Sequence, residues 1–110
     1  MSITVKISAI QGELGIFDTN TVESGSEEKT FSLDISDLSV GRFQLKFEGK
    51  GNGKIKNIAC AVVETADNFP FTLSSYTVNS ETYKEIASPY CQKLSSDCKT
   101  LIIKLTMEAI

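Results

Sequence analysis

The side chains best equipped for chemistry are fourteen carboxylates, eleven lysines and arginines, three cysteines and three tyrosines, with no histidine beside them. Without an imidazole there is no Ser-His-Asp or Cys-His nucleophile, and no general base tuned near neutral pH. Histidine-ligated zinc, iron and copper sites are likewise excluded, and Cys60, Cys91 and Cys98 lack zinc-ligand spacing. Paired-carboxylate or Ser-Lys catalysis stays arithmetically open, but spacing singles out no pair. The expectation is a protein that is not an enzyme and needs no cofactor. Calcium is the one metal that oxygen ligands alone could hold. Asp18, Asn20 and Glu23, followed by Glu27 and Glu28, share one irregular stretch and form the possible calcium set. Their spacing does not fit an EF-hand loop, so no metal is favoured.

Tyr76, Tyr83 and Tyr90, with Phe69, fall in or near connections, where tyrosine combines a flat apolar face with a hydroxyl. Lys50 and Lys54 belong to the one basic segment. Residues 41–56 carry five basic side chains against Glu48, residues 1–40 carry seven acids against two lysines, and the whole chain has a net charge of −3. An acidic chain with a single basic segment is not expected to bind nucleic acid. Tyr76, Tyr83, Tyr90, Lys50 and Lys54 are the candidate ligand-binding set, with half-buried tyrosines closing one end of the fold as the plainer account. The run Gly49-Lys50-Gly51-Asn52-Gly53-Lys54 has the composition of a phosphate loop, yet a strand follows it where that motif needs a helix. Cys91 and Cys98 flank a polar stretch that can turn back on itself, so they are the disulfide candidates; a bridge there contributes about 2.5 kcal/mol in the chain-entropy model. Bridge and separate thiols both remain open. A bridge would argue for an oxidising compartment.

These residues must be positioned by strands. Ser2 to Ile10 alternates, with Ile3, Val5, Ile7 and Ala9 on one face. Gln11 to Lys29 is the least periodic stretch and is expected to be a loop hiding a short strand around Gly15 to Thr19, with Leu14, Ile16 and Phe17 tucked against the core. Thr30 to Ser36 is the next strand, and residues 36–41 form a turn. Arg42 to Lys56 reads as a hairpin: Phe43, Leu45 and Phe47 alternate with charged residues, and Gly49, Gly51 and Gly53 supply the reversal. Ile55 and Ile58 are three apart, so a bulge near Lys56–Asn57 is needed to put Ile58, Cys60 and Val62 inside. Ala66 to Pro70 is a loop and Phe71 to Val78 a strand, with Phe71 and Leu73 inward. Asn79 to Pro89 has a capping residue, Tyr83, Ile86 and Ala87 at helical spacing, and a terminal proline, which predicts a short helical turn near residues 80–88. Leu101 to Ile110 closes the chain with Ile103, Leu105 and Met107 alternating. The prediction is an all-β fold, an antiparallel β-sandwich of about 6–8 strands in a single domain over residues 1–110.

The stretch Phe31-Ser-Leu-Asp-Ile-Ser-Asp-Leu-Ser-Val-Gly-Arg-Phe-Gln-Leu-Lys-Phe47 resembles a pattern common in extracellular bacterial β-sandwich modules. In these, an alternating strand meets a Leu-x-x-Gly turn and then an aromatic-led strand. Such modules are Ig-like or jelly-roll appendages of carbohydrate-active or adhesive proteins. The resemblance implies a non-catalytic module that binds a glycan or protein surface through loops at one end of the sandwich, although the chain lacks the tryptophan best suited to a sugar platform. The alternative is a structural or assembly subunit, of virion or surface-layer type, that self-associates through strand edges. No apolar run reaches the roughly 20 residues of a membrane span, so membrane insertion is not expected. A processed form would place the protein outside the cell or on its surface; otherwise it would be cytoplasmic or virion-associated.

Overall fold

The structure is a computed structural model that describes the backbone of residues 2–62, 66–67 and 75–110, with side chains for 2–58 and 75–110. The described elements are strands throughout: β1 (Ile3–Gln11), β2 (Leu14–Val22), β3 (Gly25–Asp34), β4 (Gly41–Val62), β5 (Ala66–Asp67), β6 (Ser75–Ala87), β7 (Tyr90–Lys93) and β8 (Thr100–Ala109). All their pairings are antiparallel. The fold is an all-β antiparallel one, as the alternation predicts.

β4 organises everything else. It is one strand of 22 residues, so the expected reversal at Gly49–Gly53 does not occur and the hairpin is replaced by a continuous strand. Along one edge β4 pairs first with β1, from Gln44 to Gly51, and then with β8, from Gly53 onward. Along its other edge it pairs with β7 at Gly41–Gln44 and with β6 at Phe47–Lys56. β1 continues to β2, and β8 to β3. The two wings therefore spring from the two halves of β4 and face each other across a shared core.

The glycines sit where the partner of β4 changes, Gly51 facing the first residue of β1 and Gly53 the last residue of β8. A Cβ on Gly51 would overlap the carbonyl oxygen of Ser2, and one on Gly53 would overlap that of Glu108; Gly51 also has φ +97°. Between them, the Asn52 amide donates to Ser2 O at 2.9 Å, and the Ile110 amide donates to Asn52 O at 3.2 Å. Glycine is required here by close backbone approach from two other strands, which uses the same missing side chain that a turn would use.

Between Gln11 and Lys29, the expected loop is mostly strand. β1 and β2 form a hairpin whose register runs from Ile3↔Val22 to Gln11↔Leu14 around Gly12 and Glu13. Gly12 takes φ +58°, the positive value that a tight two-residue turn places at its first position. β2 then faces β3 through side chains. The Asp18 carboxylate accepts from the Ser32 amide at 3.0 Å and from the Thr19 amide at 2.9 Å, and the Asn20 side-chain amide donates to Thr30 O at 3.0 Å. These bonds stand in for ladder bonds and close the two wings into a nearly barrel-like wall.

The core follows the predicted parity. Ile3, Val5, Ile7, Ala9, Phe31, Leu33, Ile35, Phe43, Leu45, Phe47, Leu101, Ile103, Leu105 and Met107 are all buried, and each large apolar side chain contributes about 1.5–3 kcal/mol on removal from water. The register slips between Lys56 and Ala59, with Asn57 at φ 57°, so the bulge falls where the spacing of Ile55 and Ile58 demands it. Ile58 packs partly on the core; the Cys60 and Val62 side chains lie outside the described residues, as do Phe69, Phe71 and Leu73. Within the expected Ala66–Pro70 loop, Ala66 and Asp67 pair with β7.

The helical turn near 80–88 is replaced by strand β6. Backbone pairing with β4 outweighs the local helical spacing, and the mismatch in length is absorbed as bulges: Gly49↔Lys84 is followed by Gly51↔Ser80, and Phe47↔Ala87 by Glu48↔Glu85. Cys91 and Cys98 are buried thiols rather than a bridge. Each enters the core as a small apolar group, Cys91 from β7 and Cys98 from the turn that follows it.

Lys93 is the unexpected core residue. It is 1% exposed, and its ammonium donates to Ile35 O at 2.8 Å, Leu38 O at 2.9 Å and Ser36 O at 3.3 Å. It thereby ties β7 to the turn joining β3 to β4. At the rim of this turn, the Ser36 hydroxyl and amide donate to Asp34 and, with help from the Lys93 charge, hold its carboxyl below the ordinary 3.8.

Candidate functional site

The side chains that could meet a ligand gather on the outer face of the β2–β1–β4 wing. Because Phe43, Leu45 and Phe47 are buried, Arg42, Gln44, Lys46, Glu48 and Lys50 all point the other way in one row. In β1 the same face carries Thr4, Lys6, Ser8 and Ile10, and the register sets Phe17 beside Ser8 and Lys6 beside Glu48. Phe17 is 63% exposed. The expectation that it packs inward is corrected by parity: Ile16 lies opposite Ala9 and packs on the core, so its neighbour must face outward.

A bulge brings a second aromatic ring to this face. Where β6 arches past Lys50, residues 81–83 are extra to the register, and the Tyr83 ring comes to lie 4.8 Å from the Lys50 ammonium and 5.6 Å from that of Lys6. Lys6 in turn lies 4.6 Å from the centre of the Phe17 ring. The result is an alternating row, Phe17, Lys6, Tyr83, Lys50, spread over four strands. Cation–π pairs of this kind contribute about 0.5–1 kcal/mol each at exposed sites. They also restrain the lysines, so less rotamer freedom remains to be lost when a ligand binds.

At the far end of the row, Arg42 stacks on Tyr90 with its guanidinium carbon 3.8 Å from the ring centre. They border an open depression of ≈ 390 Å³ shared with Ile10, Gln11 and Gln44. Gln11 fixes its floor by donating to Ser39 O and Arg42 O, both at 3.0 Å, and accepting from the Ser39 amide at 2.7 Å. Between the two ends, Lys46 approaches Glu48 at 3.8 Å while its side chain stays 37% exposed.

The five candidate positions do not converge. Tyr83 and Lys50 come together; Tyr90 joins Arg42 at the other end of the same face. Tyr76 is partly buried, packs on the core and borders a separate cleft with Val78 and Ile86. Lys54 lies beyond Gly51–Gly53, on the half of β4 that pairs with β8, exposed and in register with Thr77 and Glu108. Sequence reasoning missed Lys6, Phe17 and Arg42. The alternation of β1 and of Arg42–Phe47 already set Lys6 and Arg42 opposite the apolar face, whereas Phe17 required β2 to be recognised as a full strand. As for calcium, Asp18 and Asn20 bond to β3, Glu23 lies in the β2–β3 connection, and among the described residues no cluster of three acidic or cysteine ligands occurs.

No family model, curated protein or solved structure matches this chain.

Proposed function

We propose that the chain is a non-catalytic recognition module that binds a glycan or protein surface through the outer face of the β2–β1–β4 wing, rather than through loops at one end. The observation that carries this reading is the row Phe17, Lys6, Tyr83, Lys50, in which Phe17 is exposed and the other three are half-buried. A phenylalanine 63% open to water, in contact with a held cation, is a poor arrangement for packing and a good one for contacting a partner. The bulge supports the same reading, because it gives up regular pairing to aim Tyr83 outward. A glycan-array screen and a surface-capture screen test it, run on the wild type, Phe17→Ala and Tyr83→Ala. Binding that both substitutions weaken at least tenfold is expected. Binding that neither substitution changes sinks the assignment of this face.

A second reading is self-assembly, and β6 favours it. Over its 13 residues β6 pairs only with β4 among the described residues, which leaves a long edge able to accept another strand. Light scattering across a concentration series tests this reading: a defined oligomer supports it, and a monomer at all concentrations removes it.

A further inference from the structure

Resting on the recognition reading above, we infer that the ligand of this face is a linear acidic polysaccharide, carboxylated or sulfated, lying along β4. Arg42, Lys46 and Lys50 share the outer row of β4, and Lys6 lies beside it on β1; the acids on the same face are Glu48 and its cross-strand neighbour Glu85. The face is therefore positive on a molecule whose net charge is −3. Complementarity favours an anion here.

Spacing narrows the class. Arg42, Lys46 and Lys50 are four residues apart in one strand, so successive cations repeat at about 13 Å. A nucleic acid strand presents a phosphate every few ångströms and needs a denser positive track. Glu48 and Glu85, set between the cations, would repel such a backbone. A polysaccharide with an acidic group on alternate sugars carries sparse charge separated by neutral rings. Beside the cations, Tyr90 and Tyr83, with Phe17, offer ring surface on which the CH face of a sugar can rest. Arg42 is held on Tyr90 at 3.8 Å and Lys50 over Tyr83 at 4.8 Å, so charge and stacking surface arrive together at both ends of the row, while Lys46 between them lies 3.8 Å from Glu48. The depression at Arg42 and Tyr90 gives one end of the track a concave seat.

The test is affinity electrophoresis and titration calorimetry of the intact chain against hyaluronate and unsulfated chondroitin, which carry one carboxylate per disaccharide, with neutral dextran and a single-stranded oligothymidine as comparisons. Binding to the acidic polysaccharides is expected. Because exposed charge pairs are screened by salt, their affinity should fall as salt rises from about 50 to about 200 mM. Lys6→Gln with Lys50→Gln, and separately Arg42→Gln, should each weaken it at least fivefold. Lys54→Gln with Lys56→Gln removes as much charge from the other half of β4 and should leave it within twofold. Equal losses from both double variants would mean that net charge alone is read, and would overturn the inference. Binding to dextran that depends on Phe17 and Tyr83 would overturn the acidic ligand while leaving the recognition face standing. Tighter binding to the oligonucleotide would replace the polysaccharide with nucleic acid. Failure of every probe, together with a glycan array and a capture screen blind to the same variants, would remove both readings.

Discussion

Gly53→Ala is the most direct test of why β4 runs straight through its glycines. The new methyl group would fall on the carbonyl oxygen of Glu108 and within 3.2 Å of Ile3 Cδ1. That oxygen belongs to β8, which is held in register by Gly53↔Ala109 and Lys54↔Glu108. Relief requires β8 to move away, straining the Ile110 amide bond to Asn52 O as well. Overpacking costs about 1–3 kcal/mol, and two weakened backbone bonds add about 1 kcal/mol each, giving a loss of about 3–5 kcal/mol. Gly15→Ala is the matched control: a Cβ there meets nothing within 4 Å, and alanine in a strand should be neutral or stabilising by about 0.5–1 kcal/mol. Both substitutions restrict the unfolded chain equally, so their difference isolates the contact. Urea unfolding followed by far-UV circular dichroism and tyrosine fluorescence reads it, since the chain has no tryptophan. A loss of about 3 kcal/mol corresponds to a fall in Tm on the order of 12 °C. If Gly53→Ala came within about 1 kcal/mol of Gly15→Ala, the close-approach argument would be refuted, and a turn-type role for the glycines would return.

Asp18→Ala should remove the bond to the Ser32 amide and destabilise by about 1 kcal/mol, with faster hydrogen exchange at Ser32 as the local signature. Lys93→Ala leaves Leu38 O without its ammonium donor and opens space in the core, so a loss of about 2–4 kcal/mol is expected in urea unfolding. Asp34→Ala carries a pH signature. The Asp34 carboxyl is lowered chiefly by its Ser36 bonds, so its contribution is present above the unfolded value of 3.8 and is lost as pH falls through the lower folded value. Wild type should therefore exceed Asp34→Ala in stability at neutral pH, and the gap should close in acid; a pH-independent gap would contradict this assignment.

How much of this was legible in the chain differs from element to element. β1 and β8 were readable almost residue by residue, because a period of two in apolar residues reports a half-buried strand without reference to neighbours. The bulge at Asn57 was readable for the same reason, since Ile55 and Ile58 cannot share a face without one. β2 was not. Its exposed residues break the alternation, and it is held as a strand by its pairing with β1 and by the Asp18 and Asn20 bonds to β3. Residues 80–87 carry spacing compatible with either helix or strand, and only the partner strand β4 decides between them.

The candidate face divides in the same way. That Lys6, Arg42, Lys46 and Lys50 lie opposite an apolar face follows from local alternation, which the sequence determines by itself. That they become one surface with Phe17, Tyr83 and Tyr90 depends on register and on a bulge in β6, neither of which any local segment encodes. The glycines of residues 49–53 show the limit most clearly. Glycine in a sequence says only that a side chain is unwelcome. Whether the space is claimed by the chain's own reversal or by two distant strands is decided by which backbones arrive there, and that is a property of the tertiary structure alone.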